Sequence, residues 1–198
     1  MIDKLSAGIA KWLLHAGAIS PDEQELYRYA TYSLLFSLIP VGIVIILGSS
    51  FGMMVEGIFL ILPFMLIRKY SGGFHLKSPR VCFVISVTLL TVFLLGIRYI
   101  LSTGTTSMFF HLSVFLASTQ LFIASPIDSE VRQLTEKEHT VFRKIARILV
   151  CSIFCLYLII SLAGVHRFVA PIGGGIMLTA LLQLPCFFLS SKNMQSRE

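Results

Sequence analysis

The chain has 198 residues, of which 56% are hydrophobic and only 13% charged. Soluble domains carry roughly a quarter charged residues, so this composition excludes an ordinary soluble globule and fits a polytopic membrane protein. The net charge of +6 invites a nucleic-acid partner, but its distribution points to membrane orientation instead, and no nucleic acid is expected.

The first stretch, MIDKLSAGIAKWLLHAG, has apolar residues at Leu5, Ile9, Trp12 and Leu13. That spacing predicts an amphipathic helix over residues 1–20, either lying on the anionic lipid of the inner leaflet or packed as an ordinary helix. It has no sustained apolar core before Pro21, so no cleavable signal peptide is expected.

A bilayer core of about 30 Å needs roughly 20 apolar residues of helix. Apolar runs at about 30–48, 52–67, 81–101, 107–124, 148–164 and 168–190 predict six spans. The fold class is therefore an all-α polytopic membrane protein of about six transmembrane helices plus the N-terminal amphipathic helix, forming one membrane-embedded domain over 1–198. The second run is short and carries Glu56, so a tilted or half-buried element is expected there. An acid inside a span is a functional candidate in its own right. Gly173-Gly174-Gly175 in the last run reads as a close-packing notch. A phosphate loop is not supported, because no GK[ST] follows.

Charge alternates between connections. Lys4, Lys11, Arg28, Arg68, Lys69, Lys77, Arg80, Arg132, Lys137, Arg143, Lys144, Arg147, Lys192 and Arg197 fall on one side, and only Arg98 and Arg167 on the other. This asymmetry puts both termini and the loops around 70–80 and 126–147 on the cytoplasmic side of the membrane. The segment 126–147 is expected to be a cytoplasmic loop with a short helix.

The loop between the second and third spans reads YSGGFHLKSPRVC. Ser78 and Pro79 suit the N-cap and first position of a helix, which puts Cys82 in its first turn. The partial positive charge of a helix N-terminus, with Lys77 and Arg80 nearby, favours a thiolate. Such surroundings move a cysteine pKa from about 8.5 toward about 3.5–7.5. His75 lies seven residues earlier. One continuous helix would hold the two about 10.5 Å apart. Pro79 makes that helix unfavourable, and Gly72 and Gly73 permit tight turns, so the loop can fold His75 back over the first turn.

The chemistry of such a pair is thiolate attack on a peptide carbonyl, an acyl-thioester, and protonation of the leaving amine by His75. First-turn backbone N–H groups suit an oxyanion. Asp128, at the end of the fourth span, is the candidate that would orient His75. Cys151, Cys155 and Cys186 are expected to be small packing residues, and no disulfide framework, metal site or cofactor is expected.

RKYSGGFHLKSPRVC resembles the signature of the accessory gene regulator protein B family of membrane endopeptidases: a basic residue, an aromatic-small-Gly-Gly turn, a His, and a Cys seven residues later. ASPIDSEVRQLTEKEHTVFRK is similar to the family's cytoplasmic segment, with one departure, Ser125 between Ala124 and Pro126. Length and six-span hydropathy fit as well.

The resemblance implies an AgrD-like precursor peptide with an amphipathic N-terminal helix, a central Cys or Ser, and an acidic tail. The nucleophile matching Cys82 would release the tail and hold the rest as a thioester. The precursor's own thiol or hydroxyl would then close a thiolactone or lactone, the precursor of a quorum-sensing autoinducer. Arg68, Lys77, Arg80, Lys137, Arg143, Lys144 and Arg147 would form a basic rim that binds the acidic tail. A homodimer is left open. The alternative reading is a small transporter or channel with Glu56 and the glycine notch in its pathway, although inverted repeats are not recognisable. A non-catalytic scaffold whose basic loops bind anionic lipid is the other alternative.

Overall fold

The computed structural model describes residues 2–72, 79–104, 106–127 and 136–195, with the side chains at 2, 33, 36, 37, 79, 80, 82, 137 and 186–195 outside the description. The described residues are all-α: α1 (Ile2–His15), α2 (Gln24–Phe51), α3 (Met54–Ser71), α4 (Pro79–Thr103), α5 (Met108–Ala124), α6 (Glu136–Leu162) and α7 (His166–Gln195), with a 3₁₀ turn at Pro21–Glu23. α1 answers the expected amphipathic helix and α2–α7 answer the six apolar runs. The segments Phe83–Thr103, Glu138–Leu162 and His166–Pro185 are long and apolar enough to cross a membrane, and Leu38–Phe51 and Met108–Ala124 are shorter apolar helices.

The chain divides into two units, Met1–Ile43 and Val44–Glu198. In the first, Ser6 and Ala10 of α1 are buried while Leu5 and Trp12 remain exposed. Arg28 of α2 reaches Asp3 of α1 at 3.0 Å. That surface pair contributes about 0–1 kcal/mol, so it fixes register more than stability. The 3₁₀ turn is closed by Ser20, whose backbone N–H and hydroxyl both donate to the Glu23 carboxylate at 2.9 Å.

In the second unit α7 is the central helix. Its residues are buried almost all round from Val169 to Ala180, the pattern of a helix enclosed by others. It packs on α3, α4, α5 and α6. Apolar helices gain little from the hydrophobic effect when lipid is the alternative solvent, so close van der Waals packing must hold them together. The glycine notch supplies it.

A Cβ on Gly175 would run into the Leu60 carbonyl oxygen of α3. One on Gly173 would lie 2.8 Å from Val114 Cγ2 of α5, and one on Gly174 would lie 3.2 Å from Leu60 Cδ1. Three consecutive glycines thus let α3 and α5 approach α7 together, and the notch is filled by protein. That leaves the transporter reading without its glycine-lined pathway.

Residue pairs rise together along three of these helices. Glu56, Leu60 and Ser71 of α3 meet Arg167, Gly175 and Gln183 of α7. Val114, Gln120 and Ser125, running up α5 to its C-cap, meet Gly173, Ala180 and Gln183. So α3, α5 and α7 are parallel. α6 runs the opposite way, with Arg147 at Phe122 and Tyr157 at His111 of α5. This alternation matches the alternation of charge in the connections. Ser71, Ser125, Gln183 and the α6 cations gather at one end of the bundle, and Glu56 and Arg167 lie at the other.

Two differences from the sequence expectation stand out. The short helix expected within 126–147 is continuous with the span expected at 148–164, since α6 is helical from Glu136, the first described residue of this stretch, to Leu162. No Gly or Pro interrupts 136–162, and an amphipathic start leads directly into an apolar continuation. Cys151 and Cys155 share one face, as four-residue spacing requires. That face is exposed, not packed within the chain, because α6 turns other residues (Val150, Ile153 and Tyr157) toward its neighbours.

Candidate functional site

The frame of the site is a backbone pairing between the two motif segments. Gly72, just after α3, and Ile127, just after α5, form an isolated parallel bridge. The Ile127 N–H donates to the Ser71 carbonyl at 3.0 Å. Gly72 adopts φ 72°, ψ −165°, a region essentially reserved for glycine. A Cβ there would also collide with the Ile127 carbonyl oxygen. The sequence expectation that this glycine allows backbone that other residues resist is therefore met for two independent reasons. Gly73 lies outside the described residues.

A third element closes the frame. Gln183 of α7 is fully buried. Its Nε2 donates to the Ser71 carbonyl at 3.1 Å and to Ser125 Oγ at 3.1 Å. Ser125, the residue that stands between Ala124 and Pro126, is buried at 2% exposure. Reasoning from sequence missed Gln183, Ser71 and Ser125. The signal was there for Gln183, an uncharged amide inside an apolar span that needs a partner.

Of the residues that the sequence singled out, His75, Lys77 and Asp128 lie outside the described residues, as do the side chains of Arg80, Cys82 and Lys137. α4 is helical from Pro79, the first described residue of this stretch, so position 82 lies in helix; Ser78, the expected N-cap, lies outside the described residues. Gly72 is three residues before His75, and Ile127 immediately precedes Asp128. The bridge therefore joins the stems from which both of those segments depart.

The described cations surround this end. Arg68, in the last turn of α3, stacks its guanidinium on the Phe64 ring at 5.8 Å. Arg143 and Lys144 are exposed on the first turns of α6, and Arg143 lies 3.4 Å from His139 Nδ1. Arg147 has a structural task of its own. Its Nε donates to the Phe122 carbonyl at 3.3 Å and its guanidinium covers the Phe122 ring at 5.0 Å, satisfying a carbonyl at the end of α5. Tyr70 meets Phe142 edge to face at 5.6 Å, which ties α3 to α6 beside the same frame.

Two further ionisable groups in the bundle, His111 and Glu56, have structural partners. His111 is engaged at both ring nitrogens, Nδ1 with the Tyr157 hydroxyl at 2.6 Å and Nε2 with Thr106 Oγ1 at 2.8 Å. That leaves it no free nitrogen for general-base work. Glu56 accepts from Arg167 Nε at 2.6 Å. No group of three or more His, Cys, Asp or Glu with metal-binding geometry occurs among the described residues.

Comparison with known proteins identifies the family. The family model for accessory gene regulator B matches residues 5–187. A protein of Clostridium perfringens strain 13, provisionally named AgrB-like protein 2, is 32% identical over 87 residues, covering 44% of this chain and 41% of the relative. A second, provisionally named AgrB-like protein, from C. perfringens strain SM101, is 26% identical over 174 residues, covering 83% of this chain and 78% of the relative. The match thus spans under half the length of the first relative. No solved structure matches.

Proposed function

Since this chain belongs to the accessory gene regulator B family, we propose that it is a membrane-embedded cysteine endopeptidase that trims and cyclises an AgrD-like precursor peptide. Cys82 is the nucleophile and His75 its general base and acid, and Asp128 is the candidate orienter. The observation that carries the reading is the Gly72–Ile127 bridge, which joins the two motif segments holding these residues. The helix start expected at Ser78-Pro79 would add the helix N-terminal field at position 82.

The reaction proceeds in two acyl transfers. The Cys82 thiolate attacks the carbonyl before the acidic tail. The tetrahedral intermediate collapses with C–N cleavage, and the proton on His75 goes to the leaving amine. The N-terminal fragment is held as a thioester. A thiol or hydroxyl within that fragment then attacks the thioester carbonyl, gives its proton to His75, and expels Cys82 as thiolate. Thioester exchange is nearly thermoneutral, so excluding water matters more here than driving force. The exposed Lys4, Lys11 and Trp12 of α1 suit contact with anionic lipid on the same leaflet as the precursor's amphipathic helix.

The deciding experiment uses the protein in nanodiscs with synthetic peptides that carry an amphipathic helix, a central cysteine and an acidic tail, followed by mass spectrometry. Wild type should release the tail and show a covalent adduct on the Cys82 peptide. Cys82→Ala should do neither, and His75→Ala should lose a factor of roughly 10²–10⁴ in rate. Undiminished cleavage by Cys82→Ala ends the proposal. A single cysteine at position 77 should label only from the inner side. Labelling in intact cells by an impermeant thiol reagent reverses the topology.

A further inference from the structure

We infer that Gln183 is a positioning residue of the peptidase, a clamp that fixes the two catalytic segments relative to each other through Ser71 and Ser125; the inference rests on the function proposed above. Both donors of the carboxamide are committed, to the Ser71 carbonyl and to Ser125 Oγ, each at 3.1 Å. The Ser71 carbonyl can only accept, so the nitrogen must face it. The Ser71 carbonyl also accepts from the Ile127 N–H at 3.0 Å. One buried oxygen is thus the meeting point of α3, α7 and the segment after α5. The chain leaves this point through Gly72 toward His75 and through Ile127 toward Asp128.

The other half of the amide argues that this is not stabilisation for its own sake. Gln183 Oε1 is buried and has no hydrogen-bond partner among the described residues. A buried acceptor without a donor is unfavourable, and an apolar side chain of the same shape avoids that cost. Methionine at this position would remove the orphaned oxygen, while the Ser71 carbonyl would keep the Ile127 N–H as its donor. A residue retained only for packing gains nothing from the amide. A residue that must hold two segments in register does. Displacement of a reacting group by about 1 Å can cost roughly 10²-fold in rate.

The test compares Gln183→Met, Gln183→Glu, Ser125→Ala and the Gln183→Met/Ser125→Ala double variant with wild type and Cys82→Ala. Each is assayed in nanodiscs for kcat and KM on a precursor-like peptide that wild type cleaves, and for its thermal midpoint. Gln183→Met should keep or raise the midpoint, lower kcat by about 10- to 100-fold, and leave KM within about threefold. Gln183→Glu should fall between it and wild type. A fully buried carboxyl stays protonated and its one O–H can replace one of the two donated bonds.

Ser125→Ala should lose less than Gln183→Met, and the double variant should lose no more than Gln183→Met alone, because both changes break one clamp. Wild-type kcat in an inserted Gln183→Met overturns the clamp and leaves the peptidase intact. So does a loss of kcat that tracks an equal loss of midpoint with Gln183→Glu no better than Gln183→Met, since that is a merely structural role. Cleavage that survives Cys82→Ala overturns the peptidase assignment and the clamp with it.

Discussion

Arg167 Nε donates to Glu56 Oε1 at 2.6 Å, joining the first turn of α7 to the first turn of α3 across 111 residues of sequence. The Glu56 side chain is only 7% exposed, and that of Arg167 is 59% exposed. The pair is thus a buried acid held by a cation at the rim of the bundle, at the opposite end from the motif segments.

Removing the cation should therefore hurt more than neutralising the acid. Arg167→Ala strands a buried carboxylate, a change that costs about 3–5 kcal/mol when both partners are buried and less here, because Arg167 is half in solvent. Glu56→Gln keeps a polar group of the same shape without the charge and should cost less. Thermal unfolding of the two variants in one detergent checks this. A lower midpoint for Glu56→Gln than for Arg167→Ala contradicts it.

Gly72→Ala should abolish or strongly reduce processing while leaving insertion normal. The strained conformation alone costs about 1–3 kcal/mol for a residue with a Cβ, and the Ile127 carbonyl blocks the space. Gly96→Ala, in the interior of α4 with nothing within 4 Å of a Cβ, should be silent or slightly stabilising. Peptide processing and membrane-fraction yield of both variants distinguish a lost bridge from a general intolerance of alanine.

The glycine notch should show graded sensitivity. Gly175→Ala meets backbone, the Leu60 carbonyl, and also Pro63 Cβ at 3.1 Å, so neither neighbour can turn aside. Gly173→Ala meets the side chains of Val114 and Phe110, at 2.8 and 3.0 Å, which can shift at a cost. Gly174→Ala meets only side chains at 3.2 Å or more. The expected order of destabilisation is Gly175, then Gly173, then Gly174, read from thermal midpoints. A loss at Gly174→Ala equal to that at Gly175→Ala would show that the close approach is not the cause.

The basic rim should govern capture of the precursor. Neutralising Lys137, Arg143 and Lys144 together should raise KM more than it lowers kcat, and should flatten the salt dependence of KM, because exposed charges act through a screened field. Arg147 is better tested apart. It also holds the Phe122 carbonyl, so Arg147→Gln should lower the thermal midpoint as well. If the triple variant matches wild type in KM and in salt dependence while inserting normally, these cations serve orientation only.

Much of this protein is written in local pattern. Apolar length announced the apolar helices, alternating charge agrees with the opposed directions of α5 and α6, and Gly173-Gly174-Gly175 announced a close approach. Each depends on residues near one another in the chain, where helix geometry alone fixes who is a neighbour. The continuity of the short helix expected within 126–147 with the span that follows it was less legible, because a polar amphipathic stretch and an apolar run read as separate elements in sequence.

The partners across the bundle were not legible at all. Nothing local in α3 says that Glu56 will meet Arg167, or that the Ser71 carbonyl will take a hydrogen bond from Gln183, which lies 112 residues away. Those pairings follow from the parallel packing of α3, α5 and α7, which brings the ends of α3 and α5 to the level of Gln183 within α7. A carbonyl left over at the end of α3 and an amide buried in α7 must each find a partner in a medium without water. Only the tertiary arrangement decides that they find each other, and that Ile127 joins them.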